Sequence, residues 1–123
     1  MLTRYQRLRR AVADLAADAD AQAALLEGEG ETGGQTLARA FHEAHEALWD
    51  MHGWGELSRE EVAALRPLDD LLLERAGEAH ADFWRREALW NDRRWDDVRG
   101  HARQVLAQLP DEVRDTGWLA SQS

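Results

Sequence analysis

The chain has 123 residues, enough for one domain with a single core, and it sets 15 arginines against 24 acidic residues for a net charge of −9. It contains no cysteine, which excludes disulfides, a thiol nucleophile and cysteine-type zinc sites. The acidic balance argues against nonspecific nucleic-acid binding and against attachment to a membrane surface, and favours solubility or a protein partner of opposite charge.

No apolar run approaches the roughly 18 residues of a membrane span. The opening "MLTRYQRLRR" is basic, but Asp14, Asp18 and Asp20 follow it where a signal peptide would turn apolar. A cytoplasmic location is expected. Lysine and isoleucine are absent and Asn91 is the single asparagine. All three have A/T-rich codons, so the lysine gap reads as the habit of a high-GC bacterium.

Strand alternation is missing and helical spacing recurs, which predicts an all-α fold. The first helix is expected over about Thr3 to Leu26, with Tyr5, Leu8, Val12, Leu15, Ala19 and Leu26 on one face. Residues 28–35 then read as an acidic, glycine-rich loop. It lacks the lysine, the spacing and the preceding strand of a phosphate-binding loop.

The second helix is expected from Thr36 to His52, with Leu37, Phe41, Ala44, Leu48 and Met51 as its core stripe. The third opens on the strongest local signal in the chain. Ser58 is the N-cap, Glu61 completes a capping box, and Leu57 with Val62 forms a hydrophobic staple. Pro67 inside this helix should kink it or restart it at Leu68, and Gly77 should end it. The fourth helix is expected over Glu78 to Trp90, with Phe83 and Trp90 sharing a face. Asp92 is placed to cap a fifth helix carrying Trp95, Val98, Ala102, Val105 and Leu109, stopped by Pro110. Residues 111–123 read as a short turn and tail. The whole predicts a compact four- to five-helix bundle: two helical hairpins over 36–110 and an N-terminal helix over 1–27.

One phrase occurs twice. "EALWDMHGW" at Glu46–Trp54 returns as "EALWNDRRW" at Glu87–Trp95, and seven of the 23 positions aligned through Leu68 and Leu109 are identical. Each copy reads as the end of one helix, a turn and the start of the next. Trp49 and Trp90 are expected to close their helices, and Trp54 and Trp95 to fill the corners. Duplication and convergence both account for the match.

Two functional constellations stand out. His42, His45 and Glu46 lie within one turn on the second helix, a spacing that can converge on a divalent metal such as zinc if His80 or His101 arrives from another helix. Their order departs from His-Glu-x-x-His and from the Glu-x-x-His pairs of di-iron bundles. Packing of these rings against Trp49 is the plainer alternative. The second constellation is an acidic and tryptophan-bearing surface for a protein partner or a second copy of the chain. It is expected to use Trp54, Trp118, Asp69, Asp70 and Glu74. The arginine clusters at Arg4–Arg10 and Arg85–Arg94 sit among acids, so intrachain pairing is expected there, not nucleic acid. No catalytic machinery is identifiable.

Overall fold

A computed structural model describes residues 3–27, 34–76 and 78–109. Of the expected loop at 28–35, residues 28–33 lie outside the described residues, as do the tail at 111–123 and Trp118, while Gly34 and Gln35 belong to a helix and not to the loop. The described chain is helical, with no strand among its elements: α1 (Arg4–Ala16), α2 (Ala19–Leu25), α3 (Gly34–His45), α4 (Leu48–Gly53), α5 (Arg59–Leu73), a 3₁₀ segment (Glu78–Trp84), α6 (Ala88–Asn91) and α7 (Arg93–Gln108). Four long helices, α1, α3, α5 and α7, form a bundle.

The expected first helix is two helices. Ala17 takes extended angles and Asp18 caps α2, its carboxylate accepting from the Ala21 N–H at 2.9 Å. A break leaves the last carbonyls of α1 without helical donors, and side chains replace them. Gln22, fully buried, donates to Asp14 O and Leu15 O at 3.1 and 3.0 Å, and Arg103 donates to Ala16 O at 2.9 Å. The N-terminus of α1 carries a capping box between Thr3 and Gln6.

The second expected helix is also split, between α3 and α4. Its apolar stripe survives the break: Leu37, Phe41, Leu48 and Met51 are all buried. No proline or glycine marks the break at 46–47, and nothing in the local sequence explains it. The third helix is as expected at its start, with the Ser58–Glu61 box closed in both directions. At Pro67 it runs on without restarting and ends at Leu73. Proline removes the N–H that would serve the Ala63 carbonyl, but Ala63 is exposed and solvent can serve it instead.

The fourth expected helix is a 3₁₀ segment with non-helical angles at His80, followed by the single turn of α6. Phe83 and Trp84 are adjacent and both buried. Phe83 stacks flat on Trp95 with ring centroids 4.6 Å apart, and Trp84 meets Phe83 edge-on at 4.7 Å. Their companions are satisfied in place: Trp95 Nε1 donates to Phe83 O and Trp84 Nε1 to Arg75 O, each at 2.7 Å. Trp90, expected to share a face with Phe83, is half-exposed and donates to Asp20 at 2.9 Å.

The repeated phrase therefore serves two different ends. Leu48 and Leu89 are buried in both copies. Trp95 is fully buried, whereas Trp54 is 69% exposed, and Trp49, expected to close its helix against the core, is equally exposed.

Candidate interaction surface

Helix α3 packs on α1, α1 on α7, and α7 on α5, while α3 and α5 touch each other least. The α3/α5 seam is thus the loosest side of the bundle. Two grooves lie along it, meeting at Asp69. The larger, about 670 Å³, runs between α4 and α5 past Trp49, His52, Val62, Ala63 and Arg66; the smaller, about 240 Å³, is bordered by Arg39, His42, Leu72 and Leu73.

Asp69, expected on a free acidic surface, is buried instead and faces the histidines of α3. Its two oxygens lie 3.6 Å from His42 Nδ1 and 3.9 Å from His45 Nδ1, and His42 Nε2 lies 3.6 Å from Glu46. These are ion-pair distances that become attractive when a ring is protonated, and they are too long for hydrogen bonds. Burial lowers the pKa of His45 below the usual 6.5; the nearby Asp69 opposes this and His42 adds to it. His45 Nε2 is buried without a hydrogen-bond partner.

Neither His80 nor His101, the expected further ligands, is brought to His42, His45 and Glu46. Among the described residues no group of three or more His, Cys, Asp or Glu is arranged to hold an ion. His80 lies elsewhere, its Nδ1 3.4 Å from the guanidinium of Arg94, and His101 is exposed on α7. The aspartate that does approach His42 and His45 comes from α5, a pairing that spacing along one helix cannot reveal.

The exposed members of the seam are better suited to contact. Trp49 meets His52 edge-on at 6.1 Å, and His52 Nδ1 donates to Leu57 O at 3.0 Å, which fixes the ring's tautomer and its place beside the tryptophan. Trp54, Asp70 and Glu74 are exposed as expected. Trp49 was expected as a helix-closing ring and not as a contact residue, and Arg59, Arg66 and Leu73 were not singled out from sequence. For the three on α5 the signal was available: Arg59, Arg66 and Leu73 occupy the face opposite the core stripe, whereas Trp49 lies on α4.

Elsewhere several arginines are engaged within the chain. Arg4 pairs with Glu56, Arg94 with Asp82 and Asp92, and Arg99 with Asp96. No helix among the described residues is long and apolar enough to cross a membrane. No family model, curated protein or solved structure matches the chain.

Proposed function

We propose that the protein is a small cytoplasmic interaction module that acts by binding protein through the α4/α5 face, in a regulatory or neutralising role. The observation that carries this reading is the pair Trp49 and Trp54. Both are 69% exposed within one short stretch of chain, and Trp49 walls the larger groove. Exposed aromatic rings beside a groove are the usual anchors of protein interfaces, because they give large contact area at low entropic cost. The net charge of −9 adds solubility and a long-range field that raises encounter with basic surfaces.

The test is site-specific photo-cross-linking in the source cell. A photoreactive residue replacing Trp54 is expected to capture a protein, while the same residue replacing exposed His101 captures none. Equal capture at both positions, or none at either, would reject an interface at this face.

A further inference from the structure

We infer that the partner at this face is a second copy of the same chain, docked by antiparallel pairing of the two α5 helices; this rests on the interaction reading above. At about 100° per residue, Arg59, Ala63, Arg66, Asp70, Leu73 and Glu74 fall on one exposed face of α5, with the buried Val62 at its edge. The buried Glu61, Leu65, Leu68 and Leu72 fall on the other. The outward face is polarised. Its first half carries Arg59 and Arg66, which form no ion pair among the described residues, and its second half carries Asp70 and Glu74.

A helix charged in this way is complementary to itself when reversed, which is the condition for an isologous two-fold contact. With the axis level with Leu68, Arg66 of each copy stands opposite Asp70 of the other. Arg59 lies about three residues, or roughly 4.5 Å of rise, from Glu74 of the other. A guanidinium side chain spans that difference.

The apolar features follow the same register. Leu73 is 53% exposed, a large aliphatic side chain with no cover. The register that pairs Arg66 with Asp70 also sets Leu73 level with Ala63 of the second copy. There it enters the groove walled by Trp49, Val62 and Arg66. Each copy offers one knob and one hole, and symmetry uses both twice. Repulsion between two chains of charge −9 is screened beyond about 8 Å at physiological salt, so the contact pairs set the register.

The absence of cysteine makes the test clean. Ala63 and Leu73 lie about 15 Å apart along one helix, too far for an internal disulfide. Ala63→Cys with Leu73→Cys is therefore expected to give a covalent dimer on oxidation, and Leu73→Cys alone a monomer. In parallel, sedimentation of the full chain should show a dimer that Arg66→Asp or Asp70→Arg alone weakens by about tenfold or more. The double exchange should restore it, with helicity by circular dichroism unchanged throughout. A chain that stays monomeric while Trp54 captures a different protein would overturn this inference and leave the interaction reading standing. No capture at Trp54 would remove both. A dimer indifferent to the charge exchange, or one cross-linked by Leu73→Cys alone, would overturn the α5 register.

Discussion

Arg99 of α7 reaches across the core to Gln22 of α2, Nε to Oε1 at 3.0 Å, and both side chains are buried. The same guanidinium donates to the Leu89 carbonyl and to Asp96, and Gln22 donates onward to the end of α1. One chain of hydrogen bonds therefore ties four helices at the place where the expected first helix is broken.

Removing Arg99 should leave the Gln22 oxygen and the Leu89 carbonyl buried without donors. We expect Arg99→Leu to cost about 2–4 kcal/mol, from unsatisfied groups and lost partners together. Chemical denaturation of the two proteins measures it. A loss under 1 kcal/mol would mean that this network contributes little.

The His45 ring should make stability depend on pH. Burial lowers its pKa below 6.5, so the unfolded chain takes up the proton more readily than the folded one. Its contribution is complete above pH 6.5 and falls as the pH drops through the lowered value. The charge of Asp69, and more weakly that of Asp70, opposes the shift, and His42 reinforces it. His45→Gln should lose less stability than the parent between pH 7.5 and 5.5, as read by urea midpoints. Equal losses would place the acid sensitivity in other groups.

Two glycines should respond in opposite ways to alanine. A Cβ at Gly34 would sit 3.0 Å from Trp95 Cζ2 and 3.2 Å from the Trp84 carbonyl, and that carbonyl is fixed backbone. Gly34→Ala should destabilise by about 1–3 kcal/mol. Gly100, within α7, has nothing within 4 Å of its Cβ position, so Gly100→Ala should stabilise by about 0.5–1 kcal/mol. Thermal midpoints moving the same way for both would contradict the packing at Gly34.

The two corners of the repeated phrase should also part company under mutation. Trp95→Ala empties the centre of an aromatic stack and should cost about 3–5 kcal/mol. Its counterpart Trp54→Ala should change monomer stability by less than about 0.5 kcal/mol. Calorimetry on the two variants separates them. Similar losses would restore the equivalence that the sequence suggests.

Much of the bundle was legible because its signals are local. The Ser58–Glu61 box, the Asp92 cap and the stripe from Trp95 to Leu109 each lie within a few turns, and each forms as read. The breaks at Ala17 and at residues 46–47 were not legible. The first depends on Gln22 and Arg103 returning from other helices to satisfy α1, and the second has no marker in its own residues. The 3₁₀ turn at Phe83–Trp84 packs on Trp95, more than ten residues on, a contact that local spacing does not report. At the candidate surface, Trp54, Asp70 and Glu74 were readable as exposed, but Asp69 was not readable as buried. Its position depends on two histidines of α3, and periodicity within α5 alone does not report what stands opposite.

The tryptophans divide by depth, and that division gives the molecule two optical reporters. Trp84 and Trp95, packed on Phe83 and on each other, emit from a dry interior, and their light should shift to the red when the fold opens. Trp49 and Trp54 already emit from water. A blue shift on raising the protein concentration, at constant fold and absent when Trp49 and Trp54 are both replaced by Phe, would mark the moment the seam is covered, without any dye attached.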